Sequence, residues 1–168
     1  MSNKQFLALP YGKDAFPLLR EGNCYFVDKT PYLKTVFTDQ SAVMLFTRPR
    51  RFGKTLLISM FDSFLKINPE KPFDNSKQLE LFKGTKILED KEFCDKFMGQ
   101  CPVITITLKK VDGTNFKEFY ESFASAVYDV ALRYEYLLNS HKLNNKDKTE
   151  LDHLTTKDYL HKSKISKL

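Results

Sequence analysis

Gly53, Lys54 and Thr55 stand consecutively between an apolar run and an amphipathic stretch, within the segment AVMLFTRPRRFGKTLL from Ala42 to Leu57. These residue types suit the capture of a phosphate. Glycine lets backbone N–H groups approach an anion closely, lysine reaches terminal phosphate oxygens, and a threonine hydroxyl can ligate magnesium. From Lys54 to Ile67, residues Leu56, Leu57, Met60, Phe61, Phe64 and Leu65 recur at helical spacing, so a helix is expected to begin where the turn ends. Its first-turn N–H groups lack intrahelical partners and carry the positive end of the peptide dipoles, which stabilises an anion there. The plainer alternative is a strand, a basic surface turn and a core helix that serve packing alone.

The pattern G-x-x-x-x-G-K-[ST] would place its first glycine at position 48, where the chain has Arg48 followed by Pro49. Arginine resists a positive φ, and proline fixes its own φ and restricts its neighbour. The loop must therefore enter by another path. Arg48, Arg50, Arg51 and Lys54 crowd cations beside the expected phosphate position, and no Asp or Glu occurs between Asp39 and Asp62. The candidate binding residues are Arg50, Arg51, Phe52, Gly53, Lys54, Thr55 and Leu56, with Thr55 as the metal ligand.

Together with this loop, written TRPRRFGKTLLISM from Thr47 to Met60, several segments resemble the AAA-ATPase-like family. They are LPYGKDAF at Leu9 to Phe16, YFVDKTPYL at Tyr25 to Leu33, LFKGTKILED at Leu81 to Asp90 and CPVITITLKKV at Cys101 to Val111. The family's loop also lacks the first glycine, so Arg48 agrees with it. The resemblance implies a P-loop NTPase-like α/β fold, here a partial parallel sheet covered by helices, with ATP and Mg2+ as cofactors. It also implies a nuclease-like PD-(D/E)XK domain as a partner in a longer parent. In the family, an acidic Walker B strand ending in Asp-Glu-Tyr-Asp follows a helix like the last one here. No such strand is found. Tyr25 to Asp28 is too short and precedes the loop, and Val103 to Leu108 runs into Lys109 and Lys110. The expectation is an N-terminal arm over 1–24 and a P-loop domain over 25–168 that stops before the acidic strand, binding ATP with no catalytic residue assigned. A complete small protein without hydrolysis is the alternative.

With 168 residues, 42% of them hydrophobic, the chain can bury one sizeable core, and 15 Phe and 8 Tyr supply much of it. Lys and Arg exceed Asp and Glu by 27 minus 21, or +6, which suits phosphates or nucleic acid. A second reading is therefore a nucleic-acid module in which Arg48, Arg50, Arg51, Lys109 and Lys110 track a phosphate backbone, and a third is an inactive remnant. No stretch approaches the roughly 20 apolar residues of a membrane span and the first residues have no secretory core, so a cytoplasmic location is expected. Three cysteines, Cys24, Cys94 and Cys101, are odd in number and widely spaced, which excludes a disulfide framework and a CxxC zinc knuckle. Buried or half-buried thiols are expected, and surface positions for His141, His153 and His161.

The elements that must hold the loop follow. Thr30 and Pro31 suit the cap and first position of a helix lined by Tyr32, Leu33, Val36 and Phe37. The segment Asp28 to Thr30 either touches the nucleotide or merely caps that helix. Short helices are expected over Ser76 to Phe82 and near Lys91 to Met98, lying over a sheet edge. Val103 to Leu108, rich in β-branched residues, is expected as a second parallel strand beside the one entering the loop. Beyond Asp112-Gly113-Thr114, the longest helix carries a core stripe from Phe116 through Leu138. Residues 139–150 are expected as a polar loop, and Thr155 with Asp158 as a capping box opening a last helix.

Overall fold

The computed structural model describes residues 7–72 and 74–156. Seven α-helices follow in order among them: α1 (Phe16–Glu21), α2 (Pro31–Thr38), α3 (Lys54–Leu65), α4 (Ser76–Phe82), α5 (Lys91–Phe97), α6 (Phe116–Leu132) and α7 (Asn145–Thr155). Short 3-10 turns occupy Lys86–Glu89 and Glu135–Asn139. The chain divides between Val103 and Ile104 into two compact units.

In the first unit, helices pack on one another around an aromatic cluster. Phe16 of α1 meets Phe82 of α4 with ring centroids 4.7 Å apart, and Phe82 meets Phe64 of α3 edge-on at 5.3 Å. Phe64 stacks with Phe93 of α5 at 5.8 Å, which in turn faces Phe37 of α2. Leu33, Leu57, Met60, Leu65, Ile87 and Met98 fill the space between the rings. Such aromatic pairs add about 0.5–1.5 kcal/mol each beyond the area they bury. Arg20 ties α1 to the end of α4 by donating to the carbonyls of Leu81 and Lys83, two acceptors the helix end leaves open.

The parallel sheet expected from the sequence is not formed. Among the described residues β-pairing is limited to two isolated parallel bridges, Ala8 with Cys24 and Lys66 with Cys101. Both runs expected as strands leave most of their apolar side chains in solvent: Val43 and Leu45 are 84% and 85% exposed and Ile104 is 67% exposed, while Val103 packs on the core of the first unit. A parallel strand needs a paired neighbour and helices covering the faces of its sheet. The helices of the first unit bury their apolar faces against one another; Ala42–Thr47 falls in the first unit, and the run expected over Val103 to Leu108 is divided, with Val103 in the first unit and Ile104–Leu108 in the second. The P-loop NTPase-like sheet is thus replaced, in this structure, by a helical assembly. The helices anticipated at Ser76–Phe82 and near Lys91–Met98 are present, but cover no sheet edge.

In the second unit α7 packs on α6 and on the 3-10 turn at Glu135–Asn139. Asn115 caps α6 by accepting from the Glu118 N–H at 3.0 Å, while the Glu118 carboxylate reaches back to the Thr114 N–H and hydroxyl. The α6 stripe differs from expectation. Phe116, Phe119 and Phe123 are exposed, and the buried residues are Ala124 at mid-helix, Val130 and Ala131 in the last turn and Tyr134 just beyond it. The helix also ends at Leu132 rather than Leu138. A polar loop is expected over 139–150, but from Asn145 the chain forms α7, because Asn144 accepts from the Asp147 N–H and starts it. Of the capping box expected at Thr155 and Asp158, Thr155 is instead the last residue of α7 and its hydroxyl donates to the Asp152 carbonyl at 2.9 Å, while Asp158 lies outside the described residues.

Candidate phosphate-binding corner

Gly53 adopts φ +75°, a left-handed conformation that a side chain resists, and serves as the N-cap of α3. The helix starts at Lys54, as its sequence spacing predicts, and ends at Leu65, two residues short of expectation. Intrahelical bonding begins with the Leu57 N–H, which donates to the Gly53 carbonyl at 2.9 Å. The N–H groups ahead of it have no partner within the helix and lie at its positive end. Leu57, Met60, Phe64 and Leu65 hold α3 in the aromatic core, which makes the corner a rigid feature of the first unit.

The route into the corner explains how the loop manages without a glycine at position 48. The left-handed turn is moved three residues on, to Arg51 at φ +67°. A non-glycine residue pays about 1–2 kcal/mol for that conformation, and backbone strain of this kind gathers at functional sites. Arg48 lies with its guanidinium 5.7 Å over the Tyr32 ring of α2 and donates to the Tyr32 hydroxyl. Its carbonyl accepts from the Lys54 ammonium, so the lysine bends back across the loop. Arg50, Arg51, Phe52, Lys54 and Thr55 are exposed, and Gly53 and Leu56 half-buried.

The sequence offers the Asp28 to Thr30 segment as a whole for nucleotide contact without singling out its cation. The Lys29 ammonium sits 3.4 Å from where a Cβ on Gly53 would stand, half-buried and beside the start of α3. Its neighbours in the Asp-Lys-Thr triplet turn the other way. Asp28 accepts from the Thr30 N–H at 2.8 Å, the Thr30 hydroxyl at 2.7 Å and the Lys86 N–H at 2.8 Å. Thr30, wholly buried, accepts in turn from the Ile87 N–H at 3.2 Å. Burial alone would push the Asp28 carboxyl up, but those hydrogen bonds and the Lys86 charge outweigh it and hold the carboxyl below 3.8. Thr30 is indeed the residue preceding α2, with Pro31 first in the helix, but its hydroxyl bonds Asp28 and the 86–87 backbone rather than capping α2. No sequence signal singles out Lys29, because its approach to Gly53 joins positions 24 residues apart.

Cys24 and Cys94 are buried and Cys101 half-buried, all as free thiols. Burial, together with the nearby Asp90 and Asp95 charges, pushes the Cys94 thiol up, as suits an inert core group. His141 and His153 are exposed, and no cluster of three or more His, Cys, Asp or Glu that could hold a metal occurs among the described residues. No helix among them is long and apolar enough to cross a membrane. Lys109 and Lys110 belong to the second unit, whereas Arg48, Arg50 and Arg51 belong to the first.

A family model described as predicted AAA-ATPase matches residues 10–165. The chain belongs to the AAA-ATPase-like family. Comparison with curated proteins and with solved structures returns no match. Membership in a family of predicted ATPases is consistent with nucleotide binding in general, and the match spans the corner, α3 and both units. The AAA-ATPase-like assignment thus comes from sequence similarity, while the arrangement of cations around α3 comes from the fold.

Proposed function

We propose that this AAA-ATPase-like chain binds ATP with Mg2+ at the corner formed by Gly53, Lys54 and Thr55. The supporting observation is the left-handed glycine that leads into the first turn of α3, with the Lys29 ammonium beside it and Lys54 as the first residue of the helix. Like charges repel, and a cluster of ammonium and guanidinium groups at the positive end of a helix is relieved by an anion. The residues fit a triphosphate. On binding, Lys54 leaves the Arg48 carbonyl and turns to the terminal phosphates, Arg50 and Arg51 add charge from the loop, and the open N–H groups of α3 donate to phosphate oxygens. Mg2+ is held chiefly by the phosphates and its waters, with the Thr55 hydroxyl as the protein's ligand.

Calorimetry of the whole chain with Mg-ATP tests this. Lys54→Ala is expected to abolish measurable binding, and Thr55→Ala to remove its magnesium dependence. Unchanged affinity in Lys54→Ala would take the corner out of the site. Binding that tolerates Thr55→Ala, ignores magnesium and weakens steeply with salt would favour the nucleic-acid reading over this one.

A further inference from the structure

A cavity of about 800 Å3 opens beside the corner, within the volume range of small-molecule sites. Arg51, Gly53, Lys54 and Thr55 form one wall. The other comes from the turn at Pro10 to Asp14, with the half-buried Leu56 of α3 adding apolar surface and the buried Leu19 of α1 behind it. This turn is built to a fixed shape. The Lys13 N–H donates to the Pro10 carbonyl and Gly12 takes φ +70°, as the third position of a type II turn requires, leaving Tyr11 at the tip. It is also anchored on both sides. Ahead of it Ala8 exchanges backbone hydrogen bonds with Asn23 and Tyr25, and behind it the Phe16 N–H donates to the Ser59 hydroxyl on α3 at 3.0 Å. The turn is therefore fastened to the same helix whose first residues form the phosphate corner.

Tyr11 is 97% exposed, an aromatic ring lining the cavity yet packed against nothing. A nucleoside triphosphate has the polarity the cavity offers, an anionic tail for the cationic wall and a flat apolar base for the other. We propose that Tyr11 is the stacking platform for the nucleobase, with Pro10, Leu19 and Leu56 closing the subsite around it. This rests on the reading of the corner as a triphosphate site. It also moves the base contact from the Asp28 to Thr30 segment, whose Asp and Thr side chains are occupied in packing, to the turn before α1.

The test separates base from phosphate by titrating the full chain with Mg-ATP and, in parallel, with Mg-tripolyphosphate, which has the tail and no base. Tyr11→Ala is expected to weaken ATP about tenfold or more and to leave tripolyphosphate unchanged, while Tyr11→Phe keeps ATP affinity. Lys54→Ala is expected to weaken both. An ATP affinity in Tyr11→Ala equal to that of the unaltered chain overturns the base subsite alone, provided tripolyphosphate binds and needs Lys54. Failure of the unaltered chain to bind either ligand overturns the corner reading and this inference with it. Because Tyr11 touches no core residue, circular dichroism of the variant is expected to match the unaltered chain.

Discussion

Thr30→Val separates the packing role of the Asp-Lys-Thr triplet from any role in binding. The Thr30 side chain is fully buried, and its hydroxyl donates to the Asp28 carboxylate at 2.7 Å while accepting the Ile87 N–H at 3.2 Å. Valine keeps the shape and removes both bonds. A hydrogen bond to a charged acceptor contributes about 1.5–3 kcal/mol, and a buried N–H left without a partner costs about 1–3 kcal/mol. The methyl that replaces the hydroxyl recovers about 1 kcal/mol through apolar burial. The net loss is about 1.5–5 kcal/mol, which for a unit of this size lowers the melting temperature by about 6 °C or more. Urea unfolding followed by circular dichroism measures it, with Thr30→Ser as the control that keeps the hydroxyl and forfeits only a methyl group, about 0.8 kcal/mol. If valine costs no more than serine, the hydroxyl is not the joint between α2 and the 86–87 backbone. Under conditions where the variant stays folded, ATP affinity is expected to be unchanged; a large loss there would return Thr30 to the binding site.

The remaining predictions concern the loop, acid stability and turnover. Arg51→Gly relieves a left-handed arginine worth about 1–2 kcal/mol but adds freedom to the unfolded chain, so stability is expected to hold or rise by up to about 1 kcal/mol while ATP affinity falls with the lost charge. A drop in stability by calorimetry would show that the Arg51 conformation is not strained. Asp28 has its carboxyl held below the ordinary 3.8, so its stabilising share is fully present above that value and is lost as pH falls through the lower folded value. The gap in melting temperature between the unaltered chain and Asp28→Asn is therefore expected to be widest near neutrality and to close on acidification; a constant gap down to about pH 2.5 contradicts the assignment. Finally, the 168-residue chain is expected to release no phosphate from Mg-ATP above background, since Val103 to Leu108 leads to Lys109 and Lys110 rather than to a carboxylate. Magnesium-dependent release from this chain that disappears in Lys54→Ala would refute that.

The sequence by itself determined what can be read from neighbours along the chain. The helix starting at Lys54 was legible because apolar spacing and a preceding glycine are local signals, and so were the short helices α4 and α5. The cationic loop and the family were legible for the same reason, since residue order carries them. What only the tertiary structure decided were the contacts between distant segments. The apolar runs at Ala42–Thr47 and Ile104–Leu108 have strand composition, but a strand exists only through a partner, and in this fold Phe16, Phe64, Phe82 and Phe93 assemble a helical core without one. The α6 stripe reads as core because periodicity reports amphipathicity and not what covers it; its first three aromatic residues remain exposed. Likewise Lys29 at Gly53 and the Pro10 to Asp14 turn facing the corner depend on positions 24 or more residues apart being brought together, which no local pattern encodes.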